Sequence, residues 1–220
     1  MACGNTATPD DVQRAHASAQ PVSQPSAARD ANVSHVAAAP GAYLRDGRVD
    51  YQAVREAVAA AKSVDGLAQQ ISSAWAAQYQ QQCKGFTELV EVNLGSLTYL
   101  FDVAQGRTVG VYGTSMPTSE ARPESRISGH PSYNRGEKQT DRGHLAAHTI
   151  GGGTDINLVA QDHAVNIGAA WRGFERYAQE NPGTFFAVQV EYATDQDRPS
   201  GFVYGMVRDG QFEHQQFTNG

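Results

Sequence analysis

The chain has 220 residues, a formal net charge of −6 and a sequence pI near 5.6, a length that holds one medium domain or one domain with an appended segment. The acidic balance excludes a whole-molecule basic field for gripping nucleic acid and leaves room only for a local basic patch. No apolar run approaches the roughly 18 residues needed to cross a bilayer, and two cysteines, Cys3 and Cys83, neither build a disulfide scaffold nor match a zinc spacing.

Residues 1–45 are rich in Ala, Ser, Pro, Gln and Asn, and almost free of large apolar side chains. Such a segment buries too little surface to offset its ordering entropy, so it is expected to be a disordered arm or linker. Its opening, MACGNTATPDD, lacks the basic and apolar regions of an export signal. That leaves a cytoplasmic chain, an effector secreted or delivered without a cleavable signal, or a piece of something larger. Residues 46–84 read as helical. Asp50 is a capping residue, and Val54, Ala57, Val58 and Ala61 repeat at helical spacing. Asp65-Gly66 breaks the run, and Leu67, Ile71, Ala74, Trp75 and Gln78 mark one side of a second helix.

A domain is expected over 85–220. Thr87–Leu94, Leu97–Val103 and Thr108–Tyr112 read as a three-stranded meander with turns at Gly95-Ser96 and Gln105-Gly106. Ser115–Thr140 has no periodicity, three prolines and four basic side chains, and a loop that long inside a domain is usually functional. Residues 163–180 return to helix, with Ala164, Ile167, Trp171, Phe174 and Ala178 as the apolar stripe and Asn181-Pro182-Gly183 as the stop. Strands are expected at Phe185–Tyr192, Gly201–Arg208 and Gln211–Phe217.

The chemistry-bearing residues gather between these blocks. Positions 140–166 hold His144, His148 and His163, Asp141, Asp155 and Asp162, Asn157 and Asn166, Arg142 and the triplet Gly151–Gly153. A phosphodiester-cutting site needs this inventory: a base that works near pH 7, oxygen ligands for a hard cation, and cations for phosphate oxygens. His144 and His148 stand four apart, as in a zinc protease, but that motif needs Glu after the first His, and position 145 is Leu.

Asp141-Arg142-Gly143-His144, the glycine turn, Asn157-Leu158-Val159-x-Gln161, then Asn166 and Trp171-x-x-x-Glu175 resemble, in that order, the DNA/RNA non-specific endonuclease family of ββα-metal (His-Me finger) nucleases. The resemblance covers roughly 86–217 and is densest over 141–175. It implies an α+β fold with a ββα-metal finger core and a mixed or antiparallel sheet, preceded by the arm and the helices. It implies His144 as the general base on the attacking water, Asn166 as the ligand of Mg2+ or Mn2+, and Asn157 as an accessory ligand or a turn-holding residue. Glu175 matches the helix glutamate that supports metal-bound water and positions a catalytic arginine. Its interval from Asn166 is nine where the family usually has eight, so its role depends on the extra residue being absorbed near Ile167-Gly168. Arg122-Pro123 matches the upstream Arg-Pro whose arginine stabilises the transition state, with Arg126 and Arg135 competing for that role. Arg142 stands either as a phosphate grip or in a salt bridge with Asp141 or Asp155.

Residues 121–146 carry Arg122, Arg126, Arg135, Lys138 and Arg142 against Glu124, Glu137 and Asp141, a locally basic stretch on an acidic body. The expected function is metal-dependent, sequence-nonspecific endonucleolytic cleavage of DNA and RNA, with salt-sensitive binding. A toxin or effector setting would require an immunity protein as a partner; no membrane partner is expected. The alternatives are a catalytically silent binding module of the same fold, and a phosphodiesterase for small nucleotides.

Overall fold

The computed structural model describes residues 32–36, 43–61, 63–64, 66–119, 140–193 and 198–220. Its centre is a seven-stranded, wholly antiparallel sheet in the order β1-β4-β5-β6-β9-β10-β11. The strands are β1 (Asn32–His35), β4 (Leu89–Leu94), β5 (Leu97–Asp102), β6 (Arg107–Thr114), β9 (Phe185–Tyr192), β10 (Pro199–Arg208) and β11 (Gln211–Thr218). The meander and the three C-terminal strands lie where the β-rich runs and turn residues predict them.

The front of the chain departs from expectation. Asn32–His35 pairs with β4 through Asn32 opposite Asn93 and His35 opposite Val90, so part of the supposed arm is an edge strand. Arm residues 1–31 and 37–42 lie outside the described ones. The segment expected to be helical from 46 opens instead with a small hairpin, β2 (Leu44–Arg45) and β3 (Arg48–Val49). Its turn, Asp46-Gly47, has φ of 52° and 75°, the left-handed pair that a tight hairpin demands.

Two helices follow, α1 (Tyr51–Ala61) and α2 (Leu67–Gln82). Asp50 Oδ1 accepts the Gln52 and Ala53 amides, both at 3.1 Å, and so caps α1. The helices bury Val54, Val58, Ile71, Ala74 and Trp75 against one face of the sheet. The Trp75 indole donates to the Tyr51 hydroxyl at 3.0 Å, which donates to Gln189 on β9 at 2.7 Å. Burial pushes the Tyr51 phenol far above its ordinary range, so it stays neutral inside this chain of bonds.

The opposite face carries the chemistry. Between neighbouring strands β6 and β9 the chain makes an excursion that contains β7 (Thr140–His144), β8 (Leu158–Asp162), α3 (His163–Asn166) and α4 (Ala169–Glu180). Thr114 pairs with Phe185, so the excursion leaves and re-enters the sheet at one place. Ser115 ties its ends: its amide donates to Thr184 O at 2.9 Å, and its carbonyl accepts from Gly183 at 2.8 Å. Trp171 and Phe174 of α4 pack edge-on and stacked on Tyr204, with ring centroids at 5.0 and 4.8 Å. Tyr204 and Gln189 lie on opposite faces, because Gln189 is opposite Val203 in the ladder. The result is three layers, with the helical pair α1–α2 on one side and the β7–β8–α3–α4 unit on the other. Among the described residues no helix is long and apolar enough to cross a membrane.

Residues 163–180 form two helices rather than one. Asn166 ends α3, and Gly168, with φ −62° and ψ 142°, starts α4. The predicted stripe therefore holds only in α4: Trp171, Phe174 and Ala178 are buried, whereas Ile167, in the break, is 45 % exposed.

Candidate active site

β7 and β8 form an antiparallel hairpin with His144 opposite Leu158, Arg142 opposite Ala160 and Asp141 opposite Gln161. Alternation puts His144 and Arg142 on one face of the hairpin and Asp141 and Gly143 on the other. Gly143 is required by close approach: a Cβ there would run into the side chain of Gln161, which is completely buried.

His144 is half-buried and stands at the last position of β7. The backbone just beyond it is held by Asn157. The Asn157 carbonyl accepts the Leu145 amide at 3.0 Å, and its side-chain Oδ1 accepts the Ala146 amide at 2.9 Å. Its Nδ2 donates to Ala146 O at 2.8 Å and to Gly153 O at 2.7 Å. Both hydrogens of the amide and one side of its oxygen are thus committed to backbone, and the residue has no solvent exposure. Of the two roles the sequence left open for Asn157, the geometry fits the turn-holding one.

The glycine triplet serves the same lock. A Cβ on Gly152 would overlap the Ala146 carbonyl. The loop is pinned to the main sheet by the Thr108 hydroxyl, which donates to Ile156 O, and by Tyr99, hydrogen-bonded to the Gly153 backbone. His148 sits in a 3-10 turn with Nδ1 3.2 Å from Gly152 O, so it does not share a helical face with His144. Among the described residues no three His, Cys, Asp or Glu side chains gather as a metal cluster.

Asn166 lies at the end of α3, and its Nδ2 donates to Asp141 Oδ2 at 2.8 Å. His163 Nδ1 reaches the same oxygen at 2.9 Å. Asp162 caps α3 by accepting the Ala164 amide at 2.8 Å, and the buried Asn219 accepts the Asp162 amide at 2.6 Å. Asn219 also donates to Ala160 O and Pro199 O, at 3.0 and 2.7 Å, which fastens β8 to β10.

Glu175 is half-buried on α4, and its Oε1 accepts the Trp171 indole N–H at 3.0 Å. Asn166 and Glu175 belong to separate helices, with Ile167-Gly168 between them. Burial first and the Glu175 charge second hold the Tyr204 phenol well above its ordinary range, so that hydroxyl stays neutral. Arg142 has its Nε buried without a hydrogen-bond acceptor, and the Asp141 carboxylate is taken by Asn166 and His163. Arg122, Arg126 and Arg135 lie outside the described residues.

The sequence model of the DNA/RNA non-specific endonucleases matches residues 90–208, more than half of the chain. The chain belongs to the DNA/RNA non-specific endonuclease family. The β7–β8 hairpin and α3 form a ββα unit within the matched residues, and the family makes the protein a nuclease. No curated protein matches the sequence. The solved structure of Sda1 nuclease with bound zinc ion is similar at 15 % identity and a TM-score of 0.42, covering 64 % of this chain and 80 % of that one, a likeness too slight to bear on the chemistry.

The sequence marks His144, Arg142, Asn166 and Glu175 as candidates and pairs Asp141 only with Arg142, whereas the structure places Asp141 against Asn166 and His163. The signal for both was their place in one cluster, Asp141 in the motif and His163 three residues before Asn166. What the sequence does not display is that the strand pairing Thr140 with Asp162 brings α3 beside Asp141.

Proposed function

We propose that the protein is a divalent-cation-dependent endonuclease that hydrolyses DNA and RNA without sequence preference. The observation that carries this reading is the forced orientation of the Asn166 amide. An ionised carboxylate only accepts hydrogen bonds, so Nδ2 must face Asp141 and Oδ1 must face away from it. A carbonyl oxygen presented in this way suits a hard cation that keeps most of its waters, which favours Mg2+ or Mn2+ over a thiolate- or imidazole-bound metal. When bound, such a cation supplies positive charge beside the scissile phosphate and the leaving oxygen.

The chain's own groups have separate tasks. His144 takes the proton from the attacking water as the water oxygen bonds to phosphorus. The bond from phosphorus to the 3′-oxygen breaks, leaving a 5′-phosphate and, after that oxygen gains a proton, a 3′-hydroxyl. Arg142, on the same hairpin face as His144, offers its guanidinium to a phosphate oxygen. Glu175, held by the Trp171 indole, would hydrogen-bond the waters of a bound cation and orient the arginine that meets the transition state. Asn157 keeps the loop behind His144 rigid and stays out of the ligand set.

The direct test is cleavage of supercoiled plasmid in magnesium and in chelator, with a magnesium titration of two variants. Asn166→Ala is expected to raise the half-saturating magnesium concentration far more than Asn157→Ala. Cleavage that persists in chelator, or equal titration curves for the two variants, contradicts the assignment. Degradation of long linear DNA and RNA separates the endonuclease from a small-nucleotide phosphodiesterase, and any metal-dependent turnover removes the silent binding module.

Arg122 is the proposed transition-state cation, on the strength of its Arg-Pro context upstream of His144. A guanidinium meets two phosphate oxygens at once and an ammonium does not. Arg122→Lys is therefore expected to lower turnover with little change in KM. Steady-state kinetics of the same change at Arg126 and Arg135 are the control. A turnover defect at one of those positions, with Arg122→Lys near wild type, reassigns the role. The Ala/Ser/Pro-rich residues 1–31 ahead of the fold support a delivered effector, whose producer would carry an inhibitor. A small protein encoded next to this gene that blocks cleavage in vitro is the test.

A further inference from the structure

One oxygen of Asp141 receives two donors from α3, Asn166 Nδ2 at 2.8 Å and His163 Nδ1 at 2.9 Å. The carboxylate is only partly exposed, 28 % by side chain, against 41 % for His163. An amide such as Asn166 has two ends of nearly equal shape, and only its hydrogen-bond partners decide which end faces a ligand. Asp141 decides this one. Rotating the amide by half a turn would set the Asn166 oxygen against the Asp141 oxygen, acceptor against acceptor. His163 supplies the second half of the arrangement. Its N–H, three residues earlier on the same helical turn, grips the same oxygen and fixes where the carboxylate sits.

We propose that Asp141 is a positioning residue that aims the Asn166 carbonyl oxygen at the cation, and that His163 holds Asp141 in the aiming position. The inference rests on Asn166 being the cation ligand. It assigns jobs to the motif aspartate and to a histidine that the hydrolytic chemistry leaves unused. Outer partners of a metal ligand commonly account for about 10–100-fold in metal affinity, because a ligand that must be reoriented on binding loses part of its binding energy.

Aiming and plain charge make different demands, and conservative variants separate them. Asp141→Asn keeps an acceptor oxygen at the same distance but loses the charge. Asp141→Glu keeps the charge but moves the oxygen outward by one methylene. Mn2+ binding to the full chain without substrate, read from the electron paramagnetic resonance of the free ion, measures affinity apart from turnover. Aiming predicts that Asp141→Glu and Asp141→Ala weaken Mn2+ binding by about 10–100-fold and that Asp141→Asn recovers most of it. His163→Ala is expected to weaken binding by a smaller factor, roughly threefold to tenfold. With saturating metal, turnover of Asp141→Ala should recover while its metal requirement stays raised. If Asp141→Ala does not fold, the Asn and Glu pair decides the matter alone.

In the wild type, the Asn166 side-chain amide proton facing Asp141 should be shifted downfield and slow to exchange in a 15N–1H spectrum. That signature should vanish in Asp141→Ala. Wild-type affinity in Asp141→Glu, together with poor binding in Asp141→Asn, would show that Asp141 acts through its charge and would overturn the aiming role. Unchanged Mn2+ binding in Asn166→Ala would remove Asn166 as the ligand, and the proposal with it. Weak binding in Asn166→Ala beside normal binding in Asp141→Ala overturns the proposal alone.

Discussion

Replacing His144 by alanine is expected to lower phosphodiester cleavage by about 10²–10⁴-fold, the usual cost of removing a general base. The side chain is half-buried at the end of β7, outside the hydrophobic core, so its removal should leave the fold intact. Single-turnover cleavage of linear duplex at saturating magnesium, with a melting curve on the same preparation, checks both halves of the expectation. Added imidazole should restore part of the rate, since it brings back a base of similar strength. The proposed role of His144 needs a rigid approach, and three structural features provide one: the ladder with β8, the bond from Leu145 to Asn157, and the clamp on Ala146. Folded His144→Ala that cuts at the wild-type rate would exclude it as the base.

Asn157→Ala should be the most damaging single change to stability among the candidate site residues. It leaves the Ala146 amide and carbonyl without their side-chain partner in a place water does not reach, and releases the carbonyl of the exposed Gly153. Each buried group left unsatisfied costs about 1–3 kcal/mol, and shared relaxation keeps the total below the sum, at roughly 3–5 kcal/mol. For a chain of this size that corresponds to a fall in Tm of about 6–20 °C. Asn157→Asp should do no better, because a carboxylate would face two carbonyl oxygens it cannot donate to. Calorimetry measures the loss. A magnesium titration at low temperature, where the variant stays folded, should give a half-saturation near wild type with a reduced turnover. A large shift in magnesium dependence with unchanged stability would make Asn157 a ligand after all.

The two predictions bear on a site whose parts differ in how far they can be read from sequence. His144, Asn166 and Glu175 stand in one stretch of chain, and their side-chain types are those proposed for a base, an oxygen ligand and a supporting carboxylate. Their surroundings are assembled from elsewhere. Asn219, almost at the end of the chain, reaches back to Ala160 and Asp162 and joins the hairpin to β10. Thr108 on β6 and Tyr99 on β5 hold the glycine loop from below. No local pattern marks a polar residue that acts on a partner 48 or more positions away.

Where a signal was present, competing patterns obscured it. Asp46-Gly47 is a hairpin dipeptide, but strands of two residues are too short for alternation to show, and the helical repeat that follows hides them. Ala164 and Ile167 continue the apolar spacing of α4 by coincidence, since the backbone breaks at Gly168 before that spacing can face the core.

Local chemistry alone accounts for the capped helix α1, the meander and its turns. Each follows from side-chain periodicity, capping or turn preference acting over a few neighbours. Tertiary structure decided the rest. It made Asn32–His35 an edge strand, because β4 offered unpaired backbone groups for them to meet. It inserted the ββα unit between two central strands, latched at Ser115. It turned Asn157 into a lock by burying it. It set the orientation of Asn166 by bringing Asp141 across the hairpin, where an acceptor-only oxygen leaves the amide a single way to point.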